Sequence, residues 1–559
     1  MNTVVCDVLV VGGGLAAASS AFAALERHKN VCIAVKGEFA SIGVRGSGAS
    51  GCGTTWRGRP RLEFVHNTTF DLDANYRAII AAGLGVVDRS LASVMVEKGR
   101  EASNWAKNWH VNFNKSGPAA LGYPGVAALE PMIKKLGATI LEHTMVIDLV
   151  VQQGVSSGAL AIDAVGSLIY IKSSAVILAT GGDAQLFAQN VHPECVTGDG
   201  YAMALRAHAQ LYNLEFMQIF LATCYPTRNL LHVYKGEALG KLKNIEGEEF
   251  IQNYLPENVT LKECLEENYR HAPFSTRDNA SRYLGIAIVK EILAQRGSPN
   301  KGVFFQPDSP TTQYEIYEER FHRFKGIDRS KEPVQITMAH QCSNGGVRID
   351  TTGMTTIPGV FAAGEVATGM HGADRIGGNM LAACIIFGKL AGTSAARWAH
   401  VNQQKNNVAP SLETISETWG FCANRKGAIP PHECIKKLQD KAWERALVIR
   451  SEAGLSEFKD TIRHIQAQLA SEVDTSTPQN LIKALELRNL LLVGEAVALA
   501  CDSRKESRGG HYREDFPQQN LSQPKACIIQ YDETLSVHTE IIDPQWSEEN
   551  ADLGNQRWG

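Results

Sequence analysis

Short apolar runs followed by glycines recur along the chain, and each run predicts a strand that ends in a turn. Val8–Val11 is aliphatic, three glycines follow at 12–14, and Ala16–Leu25 contains residues that favour helix. This order predicts a strand, a glycine turn and a helix. Asn30–Val35 is the next predicted strand, and Ala175–Gly182 is a later apolar run that ends in Ala-Thr-Gly-Gly.

The stretch from Met370 to Lys389, MHGADRIGGNMLAACIIFGK, places an arginine among glycines and then starts an apolar helix at Asn379. Glycines let backbone N–H groups approach a ligand closely, and a helix N-terminus carries partial positive charge. The guanidinium of Arg375 is a planar group suited to a carboxylate. The pattern predicts a site with a cofactor on one side and an anionic substrate on the other.

The pattern of charged residues and glycine turns changes twice along the chain, and these changes predict its domain organisation. Residues 236–344 are charged and mostly helical without the glycine turns, which predicts an inserted capping domain. Residues 1–235 and 345–400 would form the two parts of a nucleotide-binding domain, and residues 401–559 a helical domain with an irregular tail. The predicted fold class is α/β: a Rossmann-like domain, an α+β capping domain and a C-terminal helical bundle.

The composition is that of a globular protein, since 44% of the 559 residues are hydrophobic, 20% are charged and the net charge is −4. This balance argues against a nucleic-acid partner. No apolar run reaches the roughly 20 residues of a membrane-spanning helix. The first strand begins too early for a signal peptide. We therefore expect a cytoplasmic protein without a transmembrane segment of its own.

The 12 cysteines are scattered, and no two of them form a C-x-x-C pair. This spacing argues against structural zinc and against an internal iron–sulfur cluster, so no metal site is expected. Free thiols in a reducing compartment are the simple interpretation.

Gly12, Gly14 and Ala17 form G-x-G-x-x-A at a strand-to-helix junction, which is typical of dinucleotide binding. A pyrophosphate would lie on the helix N-terminus. A tight turn without a ligand is the alternative. The acidic residue that usually binds the ribose is absent after the second strand, where Lys36 stands, and this absence weakens a nicotinamide interpretation.

Five stretches, in the same order, resemble the flavoprotein subunits of succinate dehydrogenase and fumarate reductase. L-aspartate oxidase and adenylylsulfate reductase belong to the same superfamily. The stretches span Val10 to Pro517 and read VVGGGLAA, ILATGGDAQLF, TGDGYAMALRAHAQLYNLEFMQ, GVFAAGEVATGMHGADRIGGNML and ESRGGHYREDFP. The resemblance implies that the cofactor is FAD and that the nucleotide-binding domain is an FAD-binding domain.

The resemblance also implies which residues contact FAD, from the pyrophosphate at the glycine turn to the flavin at the start of the later helix. The expected set is Gly12, Gly14, Leu15, Ala16, Ala17, Lys36, Ser47, Gly51, Gly53, Ala179, Thr180, Gly181, Asp199, Gly364, Glu365, Asn379, Met380 and Leu381. Relatives that bind FAD covalently use a histidine in a Ser-His-Thr stretch. The matching region, 45–53, has no histidine, so non-covalent FAD is expected.

The family uses an arginine to move the substrate proton, and FSTRDNASR at 274–282 resembles the segment that carries it. Arg277 takes the place of that arginine, and Asp278 is a candidate relay residue. Because arginine normally keeps its proton, the role requires partial burial. A surface Arg-Asp pair is the alternative.

Arg375 matches a family arginine that binds the substrate, although Asp374 replaces the usual asparagine. A structural role at the start of the helix is the alternative for Arg375. His371 is a candidate substrate-site residue, and the resemblance leaves it open between a structural role and a place beside the flavin.

Two positions depart from the family pattern and bear on the substrate. Phe220 stands where relatives carry a histidine, so an apolar substituent could lie there. In AHQCSNGG, Gln341 occupies the position of a second family histidine, whereas a one-residue bulge would bring His340 to the site. We favour His340 slightly, because loops absorb single insertions. A buried structural histidine is the alternative.

The sequence therefore predicts an FAD-dependent oxidoreductase that adds or removes two hydrogens on a small organic acid, with hydride through flavin N5 and a proton through Arg277. The alternatives are an adenylylsulfate-reductase-like or L-aspartate-oxidase-like enzyme, or an electron-transfer subunit without substrate chemistry. Electrons would pass to a soluble acceptor, to oxygen or to a ferredoxin-like iron–sulfur subunit. Association into an oligomer is left open.

Overall fold

The computed structural model describes residues 2–27, 29–39, 72–109, 123–225, 228–230, 239–270, 273–277, 280–305, 333–402, 424–520, 525–531 and 537–542. The strands within these ranges are β1 Asn2–Val11, β2 Val31–Ala34, β3 Thr139–Leu141, β4 Met145–Gln152, β5 Val155–Ile162, β6 Leu168–Leu178, β7 Leu211–Tyr212, β8 Met217–Tyr225, β9 Asn229–Leu230, β10 Val303–Phe305, β11 Val334–Ser343, β12 Gly346–Arg348, β13 Val360–Ala362, β14 Ala367–Thr368, β15 Ala526–Tyr531 and β16 Val537–Ile542.

The α-helices of the same ranges are α1 Leu15–Leu25, α2 Leu72–Ala82, α3 Arg89–Lys107, α4 Tyr123–Lys135, α5 Asp199–Arg206, α6 Leu261–Arg270, α7 Arg282–Leu293, α8 Asn379–Asn402, α9 Pro431–Ala442, α10 Glu452–Ser471 and α11 Pro478–Ser503. A π-helical turn, Trp443–Leu447, follows α9 directly.

The first sheet is built on the apolar runs that predict buried strands. Its order is β3-β2-β1-β6-β5-β4, and β13 also pairs with β6. β1, β2, β3, β6 and β13 pair in parallel, whereas β4 and β5 run antiparallel. Because β1, β2, β6 and β13 are parallel, the turns that follow them meet at one edge of the sheet, which is where ligands bind in open α/β sheets.

α1 and α8 lie close together beside this sheet because small residues face each other. A Cβ atom added at Gly392 would lie 2.2 Å from the Ser20 carbonyl oxygen, and one at Gly388 would lie 2.8 Å from the Ser19 Cβ. These two glycines are one helical turn apart on α8, so they form one surface against α1. Every residue of α1 is buried as a result.

The second sheet has the order β10-β11-β8-β9, and all its pairs are antiparallel. α6 and α7 follow β9 in the chain, so the region predicted as the capping domain contains both helices and strands. β8 begins at Met217 and therefore joins this sheet from within the segment assigned to the FAD-binding domain. The division of the chain into domains stays a prediction.

The third sheet, β14-β12-β7-β15-β16, corrects the expectation of an irregular C-terminal tail. Ile528 and Ile529 of β15 pair with Tyr212 and Leu211 of β7, and β16 completes a hairpin with β15. Cys527 and Ile529 are fully buried, so this end of the chain belongs to the core. α9, α10 and α11 supply the helical part predicted for the C-terminal domain.

Candidate active site

A cavity of about 340 Å³ opens where the parallel strands of the first sheet end. One side is formed by residues that follow β1, β2, β6 and β13, including Gly12, Val35, Ala179 and Ala363. The other side comes from β8, β11, the turn before α8 and the start of α8: Phe220, Gln341, Cys342, Arg375 and Met380. The cavity therefore joins the predicted cofactor residues to the predicted substrate residues.

The glycine turn after β1 forms a backbone cradle at one end of the cavity. Gly12 has a φ of +127°, and a Cβ atom there would lie 2.2 Å from the Ala179 carbonyl oxygen. Gly14 is the N-cap of α1 and offers no side-chain acceptor to the first N–H groups of that helix. These N–H groups, at the positive end of the helix, suit a phosphate.

Lys36 organises the neighbouring part of the cavity through charge. Its Nζ lies 2.8 Å from a carboxylate oxygen of Asp199 and 2.8 Å from one of Glu486, and it donates to the Thr197 hydroxyl at 2.6 Å. Burial opposes the charge, but the two carboxylates outweigh it and hold the pKa of Lys36 above its usual value. Glu486 belongs to α11, so the C-terminal helices complete this end of the site.

Arg375 lies in the turn before α8, where only 8% of the residue is exposed. Its Nη2 donates to the side-chain oxygens of Gln218 and, at 3.3 Å, of Gln341, and its Nη1 donates to the Ile376 carbonyl at 3.0 Å. Gln218 in turn donates to the Arg375 carbonyl at 2.7 Å. All these acceptors are neutral, and the described residues place no carboxylate within ion-pair distance of this guanidinium. Within the described residues, neutral groups alone therefore hold this guanidinium.

A bulge in β11 decides which side chain reaches the cavity. Ala339 pairs with Phe220 and His340 with Ile219, and beyond these two pairs the register shifts between His340 and Cys342. Because side chains alternate along a strand, Ala339 shares the Phe220 face and His340 points to the other. Because the bulge comes after His340, it does not change the direction of the His340 side chain.

His340 is consequently fully buried behind the cavity wall. Its ring stacks on Phe187 at 5.2 Å, and Nε2 lies 3.0 Å from the Ser343 hydroxyl, which donates to Asp183 at 2.5 Å. Burial, with a smaller contribution from His192, lowers the pKa of His340 well below its ordinary value. Burial also raises the pKa of Asp183 to about 6.

His371 is also buried, and neither ring nitrogen has a hydrogen-bond partner among the described residues. Burial and then the Arg375 charge lower its pKa to about 3, so the ring is neutral. His371 does not line the described wall, and its role stays open between a structural and a flavin-adjacent one.

Comparison with known proteins identifies the architecture. The model of the FAD binding domain matches residues 7–381, and that of the fumarate reductase flavoprotein C-terminus matches residues 435–553. The chain belongs to the succinate dehydrogenase/fumarate reductase flavoprotein superfamily. This flavoprotein is an FAD-dependent oxidoreductase, and the predicted family, fold class and cofactor are confirmed.

Relatives cover nearly the whole flavoprotein. A fumarate reductase (CoM/CoB) subunit of Methanothermobacter marburgensis is 28% identical over 94% of this chain and 97% of its own. An L-aspartate oxidase of Vibrio cholerae is 26% identical over 92% of this chain and 96% of its own. The structure of Mycobacterium smegmatis Sdh1 in complex with UQ1 matches with a TM-score of 0.80 at 24% identity, over 97% of this chain and 95% of its own.

The residues present fit FAD. The uncapped start of α1 and the close approach of Gly12 to Ala179 suit a pyrophosphate, and the buried Thr180 hydroxyl on the cavity wall has no partner among the described residues. The start of α8, at Met380 and Leu381, presents a positive helix end to the cavity.

Most of the predicted FAD residues line this cavity: Gly12, Gly14, Leu15, Ala16, Lys36, Ala179, Thr180, Gly181, Asp199, Glu365, Met380 and Leu381. Three other residues of the predicted set do not line the cavity. Ala17 is buried in α1, Asn379 is buried at the start of α8, and a Cβ atom at Gly364 would lie 2.7 Å from the Ala16 Cβ. Ser47, Gly51 and Gly53 fall outside the described residues.

The predicted substrate and proton residues separate into two groups. Arg375, Gln341 and Phe220 line the cavity together. The preference for His340 is corrected, because the strand pleat turns it away. Arg277 is exposed and does not belong to the described wall, so the partial burial that its shuttle role requires is not found. Asp278 lies outside the described residues.

Two site residues were missed by the sequence reasoning. Gln218 holds both the side chain and the carbonyl of Arg375, and its position two residues before Phe220 on a strand was the available clue. His192 lines the cavity and contacts the Gln341 carbonyl through Nε2. It lies just before the TGDG stretch, but the pairing that brings it to β11 is long-range.

Other features of the described residues bear on the chemistry. Among them, no group of three or more His, Cys, Asp or Glu could hold a metal ion.

Nine of the described cysteines are free, but Cys195 on the cavity wall is disulfide-bonded, which corrects the expectation of free thiols throughout. One described helix, α8, is long and apolar enough to cross a membrane, but 78% of its apolar window is buried inside the protein.

Proposed function

We propose that this flavoprotein adds or removes two hydrogens at a C–C or C–N bond of a small organic acid whose carboxylate binds Arg375. The observation that carries the proposal is a buried guanidinium on the cavity wall whose described partners are all neutral. Such a group binds an anion strongly, because little water competes for it. Bound FAD supplies the donor or acceptor of the hydride.

Phe220 narrows the proposed substrate class. Its ring lies on the wall that Arg375 and Gln341 share, so the end of the substrate away from the carboxylate meets an apolar surface. A second carboxylate there would lose hydration without a charged partner, which is costly. We therefore expect a monocarboxylic acid with an apolar substituent to be preferred over a dicarboxylic acid such as fumarate.

The proposal includes non-covalent FAD and an external electron partner. The absence of histidine from residues 45–53 supports non-covalent binding, and precipitation with acid should release all the yellow cofactor into solution. The absence of any C-x-x-C pair supports electron transfer with a separate acceptor, such as an iron–sulfur subunit. Arg277 as the proton donor stays a prediction.

The test is anaerobic reoxidation of the dithionite-reduced holoprotein by fumarate, crotonate and cinnamate, followed at the visible band of bound FAD. Rapid reoxidation by an unsaturated acid supports the proposal, with crotonate or cinnamate faster than fumarate. Reoxidation by viologen dyes alone, with none by any acid, would instead favour an electron-transfer subunit without substrate chemistry.

A further inference from the structure

We propose that the turn at Gly509 and Gly510 is a positioning element that fixes the segment of Arg277 relative to that of Arg375. The turn follows α11, in the stretch ESRGGHYREDFP, and neither glycine lines the described cavity wall. Both glycines would therefore act through other residues. The inference rests on the proposed function, which assigns the substrate carboxylate to Arg375 and leaves the proton to Arg277.

The turn is a tight two-residue loop. The Arg508 N–H donates to the His511 carbonyl at 2.8 Å, and the His511 N–H donates to the Arg508 carbonyl at 2.9 Å. Gly509 has a φ of +53°, a conformation that two-residue loops use and that glycine adopts without steric cost. The reciprocal hydrogen bonds therefore hold the two glycines in one geometry.

One contact of the turn reaches the segment that carries the predicted proton donor. The Thr276 N–H donates to the Gly509 carbonyl at 2.8 Å, and Arg277 is the next residue. The rings of Phe274 and Tyr512 lie edge to face with centroids 6.4 Å apart, so side chains support the same contact. The main chain beside Arg277 thus takes its position from the turn.

A second contact reaches the turn before α8. The Gly510 N–H donates to the Ala373 carbonyl at 3.3 Å, and a Cβ atom at Gly509 would lie 2.3 Å from the same oxygen. Ala373 stands two residues before Arg375. Any larger residue at position 509 would therefore displace the segment that carries this guanidinium.

A third contact reaches the start of β8. A Cβ atom at Gly510 would lie 2.0 Å from the Met217 carbonyl oxygen. The next residue, Gln218, bonds both the guanidinium and the carbonyl of Arg375. The two glycines therefore lie where three distant segments meet, and each of these segments leads within two residues to Arg277, Arg375 or Gln218.

Buried charged groups hold one end of the turn in place. Arg508 is only 2% exposed, and its guanidinium donates to both carboxylate oxygens of Glu506, at 2.8 and 2.9 Å. It also donates to the carbonyls of Leu84 and Asn520. A bidentate pair of this kind fixes orientation as well as distance. The turn is therefore anchored independently of the segments that it contacts.

The other end of the turn is anchored by a neutral histidine. His511 is fully buried, and burial, followed by the charge of Arg450, lowers its pKa well below the ordinary value. Its Nδ1 accepts a hydrogen bond from Arg450, and its Nε2 donates to the Arg504 carbonyl at 3.3 Å. With both ends held, the glycines form a fixed reference point for the two arginine segments.

Replacement of Gly510 by alanine should disturb this reference point. Nonbonded atoms normally lie about 3.5 Å apart, so the new Cβ, placed 2.0 Å from the Met217 oxygen, requires a shift on the order of 1 Å. The hydrogen bonds to Thr276 and Ala373 would move with the turn. A misplacement of about 1 Å can cost about 100-fold in rate, so we expect kcat/KM for crotonate to fall about 100-fold while FAD content stays complete.

The test compares three full-length, FAD-loaded variants with crotonate and reduced benzyl viologen. Gly510→Ala displaces the turn, and Arg508→Lys keeps the charge but loses the two-point contact with Glu506, so it should lose less activity. Gly154→Ala is the matched control, because Gly154 also has a positive φ, +75°, but open space around it, and it should keep the wild-type rate. FAD content and Tm are measured on the same samples.

A double-mutant cycle distinguishes positioning from general stabilisation. Gly510→Ala should raise the Kd of crotonate for the oxidised holoprotein several-fold when Arg375 is present. In the Arg375→Gln background, the same change should alter Kd by less than about twofold, because residues that act through one another are not additive. A merely structural effect would be of equal size in both backgrounds.

Hydrogen exchange at single amides tests the turn without any substrate. The Thr276 amide should exchange about fivefold faster in Gly510→Ala, the equivalent of one lost hydrogen bond. The Phe274 amide, which donates to the Ile219 carbonyl at 2.7 Å, should be unchanged. If exchange responds in this way but the wild-type protein neither binds nor reduces an acid, the proposed function fails while the linkage through the turn stands.

Three results would overturn the inference. The first is a Gly510→Ala variant that holds complete FAD and keeps the wild-type kcat/KM. The second is a loss of activity in Gly510→Ala and Arg508→Lys that only follows their loss of FAD, because the turn would then serve folding alone. The third is an unchanged Thr276 amide. If Gly510→Ala does not fold, Arg508→Lys is judged by the same results.

Discussion

Replacement of Arg375 by glutamine tests the carboxylate site most directly. A guanidinium has five N–H groups, of which the described contacts use three: one to Ile376 and one each to Gln218 and Gln341. The two that remain are the buried Nε–H and one N–H of Nη1, and because these point in different directions a substrate carboxylate is expected to accept one direct hydrogen bond. A hydrogen bond to a charged group contributes about 1.5–3 kcal/mol, so its loss costs up to about 3 kcal/mol.

That free energy corresponds to a Kd up to about 100-fold higher, since about 1.4 kcal/mol is tenfold. The assay is a titration of the oxidised holoprotein with crotonate, followed by the shift of the visible FAD band. Arg375→Lys keeps the charge but not the planar fork and should fall between wild type and Arg375→Gln. Arg463→Gln, on an exposed face of α10, is the matched control and should bind normally.

The reasoning would be refuted by an Arg375→Gln variant that holds a full complement of FAD and binds crotonate within about twofold of the wild type. Loss of FAD together with crotonate binding would show that Arg375 organises the turn before α8 instead. FAD content is therefore measured on the same samples.

The remaining predictions concern selectivity, the glycine cradle and pH. Phe220→His should raise kcat/KM for fumarate relative to that for crotonate by about tenfold or more, because a polar donor replaces an apolar wall. An unchanged ratio would show that Phe220 does not line the substrate pocket. Gly12→Ala should abolish FAD binding because its Cβ would lie 2.2 Å from the Ala179 oxygen, whereas Gly137→Ala, with a φ of +84° but open space, should bind FAD normally. Burial raises the pKa of Asp183 from 3.8 to about 6, so the native state binds more protons in that window and stability falls as pH rises through it. Asp183→Asn should therefore have a higher Tm than wild type at pH 7.5 and no advantage at pH 4, as measured by thermal unfolding.

The cofactor end of the site was predictable because its chemistry is local. Gly12 must approach the main chain of Ala179 closely, and this requirement is visible in the sequence as a glycine in the turn itself. The same holds for Arg375, which stands in a glycine-rich turn directly before α8. In both cases the residue and its neighbours in the chain define the environment, so spacing alone gives the interpretation.

The substrate end depended on long-range pairing, and there the prediction was incomplete. Whether His340 or Gln341 faces the cavity depends on where β11 bulges against β8, and a shift of one residue reverses the face. His192 reaches the cavity because Asn190 bridges to His340, which is 150 residues away along the chain. The segment before Arg277 is likewise placed by long-range contacts, because the Phe274 N–H donates to the Ile219 carbonyl at 2.7 Å and the Thr276 N–H to the Gly509 carbonyl at 2.8 Å.

The ion pairs of Lys36 have a consequence for how the protein is made. Glu486, which neutralises this ammonium together with Asp199, is separated from it by 450 positions. During translation, the glycine turn and β2 are therefore complete long before Glu486 is synthesised. The adenosine end of the cavity takes its final charge balance only after α11 has emerged, so the nascent chain should acquire FAD after synthesis rather than during it.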